Sequence, residues 1–220
     1  MSIVADLHIH SSHSGDSVIT PKNIIRIAER RGIAVLAVTD HNSLKGGFDA
    51  AKEAKEQHSK LLVIPGVEIS TNHGHVIGLL VQENITSHDC LEVISLIKKQ
   101  AGLVIIPHPS KKSQKFTDSE FAEADLIEGY NGRATRKENE IALRLGKSLK
   151  KPLAAGSDAH LPFEIGKVRL CLPFMPGDFD DLRRMLLCNS ELKIEMEVSP
   201  PNPYITHVLS ISIELFRRLL

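Results

Sequence analysis

The chain has 220 residues, 42% hydrophobic and 25% charged, the balance of a folded protein that buries a core without staples. Lys+Arg and Asp+Glu both number 27, and a net charge of zero speaks against a general grip on nucleic acid, which needs a basic surface. No basic stretch leads into an apolar one at the start, and no apolar run reaches the ~18 residues of a membrane span, so the expectation is a cytoplasmic protein with no membrane partner.

The first strand is expected at 3–7, short, apolar and β-prone, ending in His8 and His10. Side chains alternate along a strand, so two imidazoles two residues apart point to one side and can share a cation. Asp16 follows a Ser/Gly turn that can fold it back over the same spot. Asp6 is placed to orient one imidazole from behind. Thr20 then reads as an N-cap, Pro21 as the first helical residue and Gly32 as the stop.

Residues 33–38 are an unbroken apolar run, as in a buried parallel strand, ending in Thr39-Asp40-His41. A helix is predicted over 44–58. The strand 61–67 ends in Glu68. A short turn, 71–74, leads to His75 and the strand 76–81; because His75 starts its strand, that strand is expected to run the other way or to sit at the rim. A helix over 87–100 precedes the strand 103–106 and Pro107-His108-Pro109. Residues 110–118 read as a polar loop carrying Lys111, Lys112 and Lys115, weighed as solvated more than as a substrate clamp.

The strand 125–129 ends in Tyr130-Asn131-Gly132-Arg133, and a helix capped at both ends is predicted over 135–149. Arg133 has two readings of equal weight, a guanidinium that holds phosphate and a solvated residue at a helix start. The strand 153–155 ends in Gly156-Ser157-Asp158-Ala159-His160. The last strand is placed at 168–172 and the last helix of the main body at 178–187. Strands alternate with helices, which predicts parallel βαβ units with right-handed crossovers in a closed or nearly closed barrel. The barrel domain is assigned to residues 1–198. Prolines at 200, 201 and 203 break structure, and 199–220 form an apolar helical tail that packs on the barrel or makes a homo-oligomer contact. Cys90, Cys171 and Cys188 lack metal or redox spacing and are expected as buried small hydrophobes. His13, His58, His88 and His207 are expected at the surface or behind the site.

Strand after strand thus ends in a potential ligand: His8, His10, His41, Glu68, His108, Asp158 and His160. In α/β barrels these ends converge on one face, where active sites form. Imidazole and carboxylate without thiolate suit Zn, Mn or Fe. One such histidine is commonly an ordinary polar residue; five strand ends repeating the choice point to a shared metal site.

The motifs Asp6-Leu7-His8-Ile9-His10, Thr39-Asp40-His41, Pro65-Gly66-Val67-Glu68, Pro107-His108-Pro109 and Gly156-Ser157-Asp158-Ala159-His160 resemble, in order, those of the PHP (polymerase and histidinol phosphatase) family. The resemblance implies a distorted (β/α)7 TIM-like barrel with two or three divalent metals. It implies one metal on His8, His10, Glu68 and Asp158. A second would share Glu68 and add His75 and His108, with His73 the rival for His75. A third would take Asp16, His41 and His160. Glu68, His160 and Arg133 are the candidate catalytic residues. The expected activity is hydrolysis of a small phosphorylated metabolite or nucleotide by metal-held hydroxide, with nucleic acid at most a short substrate. The alternatives are exonuclease-like 3′–5′ trimming, a C–N bond metal hydrolase, and a non-catalytic metal-binding module.

Overall fold

The protein is described by a computed structural model covering residues 3–188, 193–196, 210, 211, 213 and 214. Among these residues nine strands form one sheet: β1 (Ile3–Ile9), β2 (Val35–His41), β3 (Leu62–Ser70), β4 (His75–Leu79), β5 (Leu103–Ile106), β6 (Leu126–Asn131), β7 (Leu153–Gly156), β8 (Val168–Leu172) and β9 (Lys193–Met196). The helices are α1 (Pro21–Arg30), α2 (Lys45–Glu56), α3 (Cys90–Lys99), α4 (Asp118–Glu123), α5 (Arg136–Ser148) and α6 (Phe179–Cys188). Thr20 caps α1 by accepting from Asn23 N, with Pro21 in the first turn, and Thr135 and Glu138 make a reciprocal capping box on α5.

The sheet order is β7-β6-β5-β4-β3-β2-β1-β8-β9. β1, β2 and β3 run parallel, as do β5, β6 and β7. β4 is antiparallel to both neighbours, and β8 is antiparallel to β1 and β9. β4 thus runs the other way, one of the two arrangements expected of the strand that His75 opens, while the parallel pattern expected elsewhere fails at β8 and β9. For β4 the reason is local. Four residues, 71–74, are too few for a crossover, so the chain can only turn back on itself. The short α4 that follows the lysine-bearing stretch and the edge strand β9 were not expected at all.

The sheet curls into a nearly closed barrel, and β1 closes it by serving two partners. Its first half pairs with β8, Ile3 opposite Leu172. Its second half meets the segment after β7: Ile9 bridges Ala159 in parallel, His10 N donates to Ala159 O at 2.9 Å, and Asp158 N donates to His8 O at 2.7 Å. Inside lie Ala5, Leu7, Val35, Ala37, Ile64, Ile77, Leu79, Leu103, Ile105, Leu126 and Leu170, with Leu182 and Leu186 of α6 joining them. The residues between them face outward. Leu36 and Val38 pack under Ile24, Ile25 and Ala28 of α1 and Ala50 and Ala54 of α2, while Val104 and Ile106 pack under Val93, Ile94 and Ile97 of α3. This period of two has a consequence at the barrel's mouth. His41 continues the inward row of Val35 and Ala37, Glu68 that of Ile64, and His75 that of Ile77 and Leu79.

Cys90 and Cys171 are buried as expected, but Cys188, the last residue of α6, is exposed. Of the predicted tail helix, Ser210, Ile211, Ile213 and Glu214 are helical; the proline break, His207, Val208, Leu209, Ser212, Phe216 and Leu219 lie outside the described residues. No described helix is long and apolar enough to cross a membrane.

Candidate metal centre

His8, His10, Asp16, His41, Glu68, His75, His108, Asp158 and His160 come together at one end of the barrel. Their donor atoms fall into four overlapping groups, each within 4.8 Å: His10, Asp16, His41 and His160; His8, Glu68 and His108; His8, His10 and Asp158; and His41, Glu68 and His75. Glu68 is central and almost wholly buried. Its Oε1 lies 3.0 Å from His75 Nδ1 and 3.1 Å from His108 Nε2; its Oε2 lies 3.2 Å from both His10 Nε2 and His41 Nδ1. Asp158 Oδ1 is 3.3 Å from His10 Nε2, and Asp16 Oδ2 is 2.8 Å from His160 Nε2. His75 rather than His73 belongs to this cluster, because His73 turns away to Glu120. His13 also lies apart, paired with Asp49 at 2.9 Å.

The backbone contributes too. His108 has φ 31° and Asp158 φ 53°, left-handed values uncommon for residues with a Cβ. Such conformations persist where the surroundings over-determine them, which is characteristic of functional sites.

Electrostatics bind the cluster together. Burial disfavours the charge on Glu68, but His75, His8 and His41 outweigh it and hold the carboxyl well below the usual range. Burial likewise opposes the charge on His10, yet Asp158 and Glu68 lift its pKa to about 9. His160 goes the other way, to about 4, through burial and the nearby His10.

A divalent cation suits this donor set. Buried imidazole nitrogens and carboxylate oxygens converge with no thiolate, and the Nε2 atoms of His8 and His10 face each other at 3.1 Å. Asp16 Oδ1 and His41 Nδ1 are buried without a hydrogen-bond partner among the described residues, a deficit a cation would remove.

Residues behind the cluster were less visible in the sequence. Asp6, expected to orient an imidazole, instead closes the barrel: its oxygens accept from Ser157 N at 2.9 Å and Gly166 N at 2.8 Å. The orienting carboxylate is Glu128 of β6. It lies 2.9 Å from His8 Nδ1 and accepts from His108 N at 2.7 Å and Asn131 Nδ2 at 2.9 Å. Its signal was a charged residue inside an apolar run. His10 Nδ1 meets Ser14 Oγ at 3.0 Å, and Gln114 Nε2 lies 3.1 Å from His108 Nδ1.

A cavity of about 200 Å³ opens over the cluster, and Lys111 and Arg133 line it. Lys111 is not the solvated lysine expected; its Nζ sits 3.4 Å from Asp158 Oδ2. Arg133 is not solvated either, with a side chain only 7% exposed. Its Nη2 donates to Ser210 Oγ at 2.9 Å, its Nε stands 3.8 Å from Glu164 Oε1, and that Nε has no hydrogen-bond partner among the described residues.

A family model described as PHP domain matches residues 6–148, and one described as PHP-associated matches 136–190. The chain belongs to the PHP domain family. PHP proteins are metal-dependent hydrolases, as this chain is. It is 39% identical over 140 residues to the uncharacterized protein MJ1587 of Methanocaldococcus jannaschii, covering 58% of this chain and 81% of that one. It is 42% identical over 78 residues to a 5′-3′ exoribonuclease of Haemophilus influenzae, covering 34% of this PHP chain and 27% of the exoribonuclease. The fold is that of a two-domain Bacteroides vulgatus protein containing a predicted PHP-like metal-dependent phosphoesterase. The TM-score is 0.73 at 17% identity, over 90% of this chain and 65% of the other.

Proposed function

We propose that the chain hydrolyses a small phosphomonoester, a phosphorylated metabolite or a nucleotide, and that the nine clustered residues hold two or three divalent ions of zinc, manganese or iron. One observation supports this most: the donor cluster shares its cavity with Arg133 and Lys111. A cation-binding floor under a cationic wall suits an anionic phosphate, whereas an uncharged C–N substrate has no use for the wall. Bound divalent ions supply a readily deprotonated water and stabilise charge on the attacking and leaving oxygens. Glu68, with histidines against both its oxygens, is placed to be shared between adjacent ions. Arg133, in the cavity wall, offers a phosphate its guanidinium charge, and Lys111 offers a point charge by trading its contact with Asp158. His160 Nε2, 2.8 Å from Asp16 Oδ2 and lining the cavity, is placed to hold an ion together with Asp16 and His41, its Nδ1 turned back to Asp158 O.

A second reading, removal of nucleotides from RNA, has the H. influenzae relative in its favour. Against it stands the cavity, whose 200 Å³ is small beside the ~300–1,000 Å³ of pockets for larger ligands. The test is the protein reconstituted with manganese, zinc or iron and offered phosphorylated metabolites, nucleotides and short 5′-phosphorylated RNA. Phosphate release from a small ester, with the RNA left at full length, is expected. Shortened RNA with no small ester cleaved transfers the case to the second reading. A fully metallated protein that cleaves neither ends both.

A further inference from the structure

None of the nine candidate ligands comes from the C-terminal segment, yet Ser210 and Glu214 line the same cavity. Both are helical, and their spacing of four puts them on one face. Ser210 is 3% exposed and accepts from Arg133 Nη2 at 2.9 Å. It therefore holds one arm of the guanidinium, whose Nε stands 3.8 Å from Glu164 Oε1, and so fixes Arg133 in the cavity wall. Ile211, next to it, is 43% exposed, so the segment forms the rim of the cavity rather than its floor. At that rim Glu214 adds a carboxylate to a wall that otherwise carries Lys111 and Arg133.

We infer that Glu214 determines specificity, selecting esters with one phosphate and a neutral, hydroxyl-bearing remainder and rejecting those with a second phosphate, while Ser210 positions Arg133. The inference rests on the phosphoesterase reading. With the reacting phosphate drawn to the cations at the floor, the remainder of the substrate points to the rim. A hydroxyl there donates to the Glu214 carboxylate. A second phosphate, at neutral pH an acceptor with negative charge, is repelled by it. A cavity of about 200 Å³ keeps both groups inside the ~8 Å over which physiological salt screens charge, so the repulsion is felt.

The test uses the full, metal-loaded chain with ribose 5-phosphate and ribose 1,5-bisphosphate. Their kcat/KM values are measured, along with calorimetric affinities for non-hydrolysable phosphonate analogues of both. Glu214→Gln should raise the bisphosphate-to-monophosphate ratio about tenfold, a change of the size Coulomb energies at an effective dielectric near 20–40 allow. Glu214→Lys should raise it further, and Glu214→Asp, which keeps the charge, should stay near the wild-type ratio. A ratio that is the same in all four proteins, or that shifts as much in the aspartate variant as in glutamine, overturns the inference. If the wild-type chain cleaves no ester but the affinity ratio climbs with charge, the phosphoesterase reading falls and the selectivity stands. Turnover with a flat ratio removes the selectivity alone.

Discussion

Glu68 is the residue on which the candidate centre turns. It is buried, its two oxygens face different histidines, and it is charged only because those histidines outweigh the cost of burial. Glu68→Gln keeps the shape and removes the charge, leaving an amide N–H₂ pointed at groups that need an acceptor. We expect metal affinity to fall by more than the ~10–100-fold typical of losing a group behind a ligand, and activity to fall with it. Elemental analysis and steady-state kinetics of the variant measure this; full metal content with full activity would end the shared-ligand role. Arg133→Ala is expected to act differently. Its guanidinium touches Ser210 and lies by Glu164 but lines the cavity over the cluster, so on the proposed function KM should rise with metal content intact. Unchanged KM and kcat would return Arg133 to a purely structural part.

At the scale of elements, the site depends on β1 being held from both sides. The residue that permits the approach of β7 is Gly156: a Cβ there would stand 2.4 Å from His8 Cβ and 2.7 Å from His8 N. Neither neighbour can yield, since one is backbone and the other begins the side chain of a candidate ligand. Gly156→Ala should therefore push β7 away from β1, lengthen the Asp158 N to His8 O bond and displace Asp158 from the cluster. Stability should drop by about 1–3 kcal/mol or more, the usual cost of overpacking. Metal affinity should drop with it. Thermal unfolding and metal titration together check this, and a variant with wild-type metal affinity would show that the closure does not position Asp158. Asp6 secures the same seam from behind, where the Ser157 and Gly166 N–H groups it accepts would cost ~1–3 kcal/mol each if left unpaired.

Across the whole molecule, the cluster couples folding to pH in a direction that depends on metal. Without metal, His10 has its pKa raised from 6.5 to about 9. Between those values the folded chain keeps a proton that the unfolded chain has released. The stability this brings is full below pH 6.5 and disappears as pH climbs through about 9. With metal, the same imidazole must be neutral, so binding and the stability it confers strengthen as pH rises. The Tm of chelator-treated protein should fall from pH 6.5 to 9, while that of metal-loaded protein should hold or rise; equal slopes would contradict the metal assignment. Removal of residues 200–220 is a second whole-molecule test. All nine candidate ligands precede that stretch, so metal content should survive. KM should rise, because Ser210 and Glu214 leave the cavity. A folded truncated chain that binds no metal would make the tail part of the centre.

The sequence by itself determined the type of fold, which strands carry the clustered residues and the identity of most of those residues. Apolar runs of strand length are local signals, and so are the Thr20–Pro21 and Thr135–Glu138 caps. A histidine or carboxylate at the end of such a run is chemically conspicuous, which is why His8, His10, His41, Glu68, His108, Asp158 and His160 were legible. Strand direction was legible only for β4, through a histidine that opens its strand instead of ending it; β8 and β9 carry no local mark of running backwards, since pairing direction is set by the partner strand. The resemblance favoured His75 with His73 as its rival, and tertiary structure put His75 in the cluster, because two histidines two apart in a turn differ only in which neighbour, Glu68 or Glu120, lies across from them. It also gave Glu128 and Asp6 their separate duties and turned Lys111, Arg133, Ser210 and Glu214 toward one cavity. Charges on different segments meet only when the barrel closes, and no spacing along the chain encodes that distance.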